Sequence, residues 1–125
     1  MNALPIAGEN EGIGYFIAKQ WLENGNYVSV LDLNYDNIDE LKKAYSKTLL
    51  TFKCDACDLE TVKMAVNNTS AQFGSINYAV HNACLCLFKG FEEHTIEDFD
   101  RVIDVNFHGA INLTKAVLPI MKTQR

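Results

Sequence analysis

Four short apolar runs alternate along the chain with four longer stretches of helical period, and this alternation restricts the fold more than any other feature. The runs, 3–7, 27–31, 49–54 and 77–81, have the length of buried strands. Between them, Ile13, Ile17, Ala18, Trp21 and Leu22 put one apolar stripe on a helix over 12–24, and Ile38, Leu41 and Tyr45 do the same over 36–47. Leu59, Val62, Ala65, Val66, Thr69 and Phe73 mark a third helix that stops at Gly74, a residue free to take the left-handed conformation that ends helices. A last helical region runs from Thr95 to about Lys122. Thr95-x-x-Asp98 offers a capping box at its start, and Pro119 is expected to bend or fray its last turn. Such alternation implies parallel β-α-β units with right-handed crossovers, so the class is α/β: an open, doubly wound sheet with helices on both faces. Pro5 conflicts with this, because proline has no N–H for the ladder of a central strand. A place near the strand's start, or a local bulge, would resolve the conflict.

With 125 residues, 48% of them hydrophobic and 22% charged, the chain has room for one core, and 1–125 reads as a single domain. No stretch approaches the roughly 18 apolar residues of a membrane span, and the start has neither a basic n-region nor a long apolar h-region. A cytoplasmic location without a membrane partner is the expectation. The net charge of −5 would repel a phosphate backbone, so nucleic acid is not an expected partner either.

Gly8-Glu9-Asn10-Glu11-Gly12-Ile13-Gly14 lies between the first strand and the first helix, where a phosphate-binding turn belongs. Glycines let the backbone approach a pyrophosphate, and the unpaired N–H groups of the helix start point at the anion. Glycine also punctuates ordinary β-α loops, so the turn alone leaves both readings open. Asp32 adds weight to the first, since it ends the second strand 18 residues after Gly14, where an acid can accept both hydroxyls of an adenine ribose. As a plain solvated acid or helix cap it would need no ligand. A 2′-phosphate wants Arg or Lys, whereas Glu9, Glu11 and Asp32 are acidic and Asn34 and Tyr35 neutral, which favours NAD over NADP.

These residues resemble the short-chain dehydrogenase/reductase family, whose N-terminal half the chain matches from end to end. The family's Thr-Gly-x3-Gly-Ile-Gly turn is similar to Ala7-Gly8-Glu9-Asn10-Glu11-Gly12-Ile13-Gly14, with Ala for Thr. Its acid after the second strand matches Asp32, and its Cys-Asp-Val-x-Asp segment, which borders the adenine, resembles Cys54-Asp55-Ala56-Cys57-Asp58. Its Asn-Asn-Ala-Gly resembles His81-Asn82-Ala83-Cys84, with His and Cys in the outer positions, and its helix motif resembles Val105-Asn106-Phe107-His108-Gly109-Ala110.

The resemblance implies a Rossmann-like sheet of four strands in the order 3-2-1-4, cut before the fifth. It implies NAD(H) held by Gly8, Asn10, Gly12, Ile13, Gly14, Asp32, Leu33, Asp55, Ala56, Asn82 and Ala83. Asn106 would be the remnant of a catalytic Asn-Ser-Tyr-Lys tetrad; without its partners it reads equally as a polar residue bonding to backbone at a helix kink. The family's Ser and Tyr-x3-Lys would lie beyond Arg125, and Tyr15-x3-Lys19 sits on the first helix, where it has no catalytic part. Two functions follow: the NAD(H)-binding part of an oxidoreductase that moves hydride between nicotinamide and an alcohol or carbonyl, inactive alone, or a non-catalytic nucleotide-binding or interaction domain of the same descent.

Cys54, Cys57, Cys84 and Cys86 have spacings that zinc sites use. The order 3-2-1-4 puts the two pairs beyond opposite edges of the sheet, roughly 14 Å apart at about 4.8 Å per strand, so the expectation is no metal and four reduced, mostly buried thiols. The three histidines have no Ser or Cys in a nucleophile-like arrangement, and His81 is expected to pack at its strand's end. Self-association is the last expectation, as a homodimer or larger homo-oligomer. The fourth strand's outer edge is open, and Phe107, Ile111, Leu113, Val117, Leu118 and Met121 exceed what one helix face can bury.

Overall fold

The computed structural model describes residues 1–8, 12–34 and 36–125. Four parallel strands, β1 (Ala3–Ala7), β2 (Tyr27–Asp32), β3 (Leu49–Lys53) and β4 (Val80–His81), form one sheet in the order β3-β2-β1-β4. The helices are α1 (Ile13–Glu23), α2 (Asp39–Ala44), α3 (Leu59–Phe73), α4 (Ile96–Ile103) and α5 (Gly109–Gln124). Strand alternation sends Ile6, Val28, Val30 and Leu49 to one face, where they bury with Ala18 and Leu22 of α1 and Leu41 of α2. Ala7 and Leu31 go to the other, with Val62, Ala65 and Val66 of α3 and Leu113, Ala116 and Val117 of α5. The doubly wound α/β class, the strand order and the helical stripes of the sequence are present, except that Ile13 of the first stripe is exposed.

Four expectations change. The fourth strand is two residues, not 77–81. The backbone N–H groups of Asn77 and Tyr78 both reach the Ala3 carbonyl (3.0 and 3.3 Å), and the Asn77 side chain accepts the Ala3 N–H at 2.8 Å in place of a strand carbonyl. Pro5 explains why the ladder fails between. Ala3 and Ala7 both turn their carbonyls toward the β4 side, so the alternation of a parallel strand points Pro5's missing N–H the same way, to the place where β4 has not begun. On its other side β1 pairs fully with β2, Pro5 opposite Ser29.

The second helix is shorter than 36–47. A 3-10 turn (Asp36–Ile38) precedes α2, and the Tyr45 carbonyl ends it by accepting from Thr48 and Leu49 in the turn into β3. The long last helix is three pieces, because a π turn over Asp104–His108 separates α4 from α5. Finally, Pro119 does not fray α5, which runs to Gln124. The Gln124 side chain accepts from the Ile76 N–H (2.8 Å) and donates to its carbonyl (2.7 Å), clasping the last turn to the chain entering β4. The capping box forms as read: Thr95 Oγ1 accepts the Asp98 N–H and Asp98 Oδ2 accepts the Thr95 N–H, each at 3.1 Å. Lys89 reaches the same carboxylate at 2.6 Å and, with the Thr95 backbone, holds it down to about 2.

Candidate functional site

The strands all end at one edge of the sheet, and there the chain leaves a cleft of about 470 Å³. Gly8 reaches it from β1, Asp32 and Leu33 from β2, Asp55 and Ala56 from beyond β3, and Asn82 and Ala83 from beyond β4. Seven of the eleven residues expected to hold the cofactor are thus brought together. Gly12, Ile13 and Gly14 are at the start of α1 and do not line the cleft; Asn10, with Glu9 and Glu11, lies outside the described residues.

Close packing of β1's end against β4's end shapes the floor. Gly8 has φ +78°, and a Cβ there would collide with the backbone of Ala83 and come within 2.8 Å of its Cβ. Only glycine satisfies both the conformation and the contact. Asn82 sews the same two ends together, its N–H donating to the Ala7 carbonyl (2.8 Å) and its Nδ2 to the Gly8 carbonyl (2.7 Å).

The connections from β1 to α1 and from β3 to α3 differ at their helix starts. At α3, Asp58 caps the helix, accepting from the N–H groups of Glu60 (3.1 Å) and Thr61 (3.4 Å). At α1, Gly12 with φ +70° stands in the capping position, no side chain among the described residues caps, and the first turn carries no acid. The helix dipole favours an anion at that turn. Asp32 is half-buried and accepts the Asn34 N–H at 3.2 Å, while Asp55 accepts the Cys57 N–H at 2.9 Å.

Among the thiols only Cys54 is buried; Cys57 is half-buried, and Cys84 and Cys86 are exposed, contrary to the expectation of mostly buried cysteines. The cause is the segment after β4, in which no residue from 84 to 108 is buried. Burial pushes the Cys54 thiol up, and burial followed by the bond and charge of Asp55 pushes Cys57 up to about 11. All four cysteines are free, and among the described residues no three His, Cys, Asp or Glu side chains gather as metal ligands would.

Asn106 sits in the π turn and commits its amide to one partner: Oδ1 accepts the Leu85 N–H (2.7 Å) and Nδ2 donates to the Leu85 carbonyl (2.9 Å). It does not line the cleft. His81 packs at the end of β4 as expected, against Gly109, where a Cβ would come within 2.8 Å of its ring. Neither ring nitrogen has a well-aligned partner; burial lowers its pKa, with the nearby Val105 backbone pulling the other way. Tyr15 packs on the core of α1 and Lys19 pairs with Glu23 at 4.0 Å, and neither lines the cleft.

Sequence reading missed Arg101 and Val105, which line the cleft from α4 and the π turn, and Cys84 and Leu85 beside them. The four-residue spacing between Arg101 and Val105, continued to Gly109, was the available signal.

The family model for short chain dehydrogenases matches residues 2–125. A 3alpha-hydroxysteroid dehydrogenase from Mediterraneibacter gnavus is 27% identical over 124 residues, 95% of this chain and 50% of that protein. A 2-(R)-hydroxypropyl-CoM dehydrogenase from Xanthobacter autotrophicus is 34% identical over 129 residues, again 95% of this chain and 50% of that one. Among solved structures, a variant of ElxO with NADPH bound superposes with a TM-score of 0.88 at 26% identity, over 98% of this chain and 51% of its own. The chain thus spans about half the length of the curated relatives it matches. Its strand order, the Gly8–Ala83 contact at the strand ends and this match along nearly the whole sequence agree: the chain belongs to the short-chain dehydrogenase family.

Proposed function

We propose that the chain, as a single domain over 1–125, is the NAD(H)-binding part of a short-chain oxidoreductase and is inert alone. The observation that carries this is the cleft at the strand ends, where a glycine that cannot bear a side chain, an acid after β2 and the start of α1 meet the three chemical needs of a dinucleotide. Asp32 accepts the hydroxyls of the adenine ribose. Gly8, Asn10, Gly12, Ile13 and Gly14 carry the pyrophosphate, Leu33, Asp55 and Ala56 border the adenine, and Asn82 and Ala83 hold the floor toward the nicotinamide. When bound, NAD supplies or takes the hydride exchanged with an alcohol or carbonyl carbon. The chain's own residues bind and orient the cofactor.

Preference for NAD rests on the charge of Asp32, which repels a 2′-phosphate. NADPH bound to the ElxO variant shows that family membership alone does not decide it. Calorimetry should find NAD bound more tightly than NADP, and Asp32→Ala should weaken NAD about tenfold. Equal or tighter NADP binding by the unaltered chain would end the preference. No turnover is expected on any alcohol.

A second reading is a non-catalytic nucleotide-binding or interaction domain of the same descent. Clear NADH production would exclude it. Either reading has the chain in the cytoplasm, without nucleic acid or membrane partners, as a homodimer or larger homo-oligomer. Its outward Phe107, Ile111 and Leu118 support the last point, and among the described residues no helix is long and apolar enough to cross a membrane. Light scattering on Ile111→Asp, expected to shift the chain to monomer, checks the assembly.

A further inference from the structure

Arg101 is the one cation among the residues lining the cleft. It stands on a strongly acidic helix, yet no carboxylate among the described residues pairs with it. Of the acids one turn away, Asp98 is engaged by Lys89 at 2.6 Å and Asp104 by His108 Nδ1 at 2.8 Å, and Glu97 makes no ion pair with Arg101. Arg101 is thus left to the cleft, and its position there is fixed by the same stretch of helix. Gly109 brings α5 against Ala56, where an added Cβ would sit 3.3 Å from the Ala56 Cβ, and Asn112 Nδ2 donates to the Ala56 carbonyl at 2.9 Å. Val105 and Arg101, four and eight residues before Gly109, continue along the wall that faces the loop beyond β3.

That end of the cleft combines apolar Leu33, Ala56 and Val105 with the carboxylates of Asp32 and Asp55 and one guanidinium. Apolar walls with a flat cation suit a flat, electron-rich heterocycle better than a phosphate, because guanidinium stacks on aromatic faces and Asp32 and Asp55 repel added negative charge. We infer that Arg101 is a specificity-determining residue that closes the adenine end of the cleft by stacking its guanidinium on the purine ring. This rests on the NAD(H) reading above and adds a residue and a contact to it.

Calorimetry with NAD, NADP and AMP on the unaltered chain, Arg101→Ala and Arg101→Lys tests the assignment. Arg101→Ala should weaken NAD and AMP alike, about fivefold, and Arg101→Lys should recover little of that loss, because an ammonium lacks the flat face. Unchanged affinities in Arg101→Ala would overturn the inference while leaving the cofactor reading intact. So would full recovery in Arg101→Lys, or a loss confined to NADP, which would make Arg101 a ligand of phosphate. Absence of binding to any of the three by the unaltered chain would overturn both. Arg101 is exposed, so thermal melting should show all three chains equally folded.

Discussion

The sheet with its first three helices and the segment 84–108 are made of similarly apolar sequence but are buried to opposite degrees. In 84–108, 12 of 25 residues are hydrophobic, matching the 48% of the whole chain, yet none is buried; Phe88 is 95% exposed and Phe91 80%. Within the sheet, Ile6, Val28 and Val30 are fully buried. The difference shows that apolar content buries only where an opposing face is available. Each face of the sheet has helices to meet it, whereas no residue of α4 is buried. What orders 84–108 instead is polar and local: the capping box, the Lys89–Asp98 ion pair, His94 Nδ1 bonded to the Gly90 carbonyl at 2.8 Å, and Phe99 ringed by Phe91 and His94.

Cutting side chains back in each region tests the contrast most sharply. Ile6→Ala should lower unfolding stability by about 2–5 kcal/mol, while Phe88→Ala should stay within about 0.5 kcal/mol, both read by urea denaturation. Comparable losses would mean that 84–108 is covered after all.

Gly8→Ala strikes the seam between the two regions. The left-handed backbone and the collision with Ala83 together should cost about 1–3 kcal/mol, and nucleotide affinity should fall with it. A variant of full stability would show that the seam can open without penalty.

His81 gives the smallest effect, at the same junction. Its pKa is lower in the fold than its ordinary 6.5, so the unfolded chain takes up a proton first as pH falls. The stability that depends on a neutral His81 is whole above 6.5 and declines below it, levelling once pH passes the folded value. Urea midpoints between pH 8 and 5 should show this decline, and His81→Asn should flatten it.

The parts legible in the sequence were those fixed by local pattern. Helical stripes, the Gly74 terminator and the Thr95–Asp98 box each involve neighbours in the chain, and the strand ends carried seven of the expected site residues to one place. What escaped depended on contacts between distant segments. Pro5 was recognised as a conflict, but its effect fell on β4, which lost its first residues to an Asn77 side chain that no periodicity reports. Arg101 lines the cleft because the Gly109–Ala56 contact holds that stretch of helix beside the loop beyond β3. The π turn depends on the bond between Asn106 and a loop 21 residues earlier.

That bond has a mechanical consequence. An asparagine side chain carries the same amide as a peptide unit, and Asn106 pairs with Leu85 in both directions, as one strand residue would with its neighbour. Leu85 is part of the cleft wall and Asn106 belongs to a widened helical turn, so the two share one degree of freedom. Twist the turn about its axis and the wall shifts with it; hold the wall with a ligand and the turn is locked. The amide of Asn106 thus ties the turn to the mouth of the cleft, beside Val105 of the same turn, which lines the cleft itself.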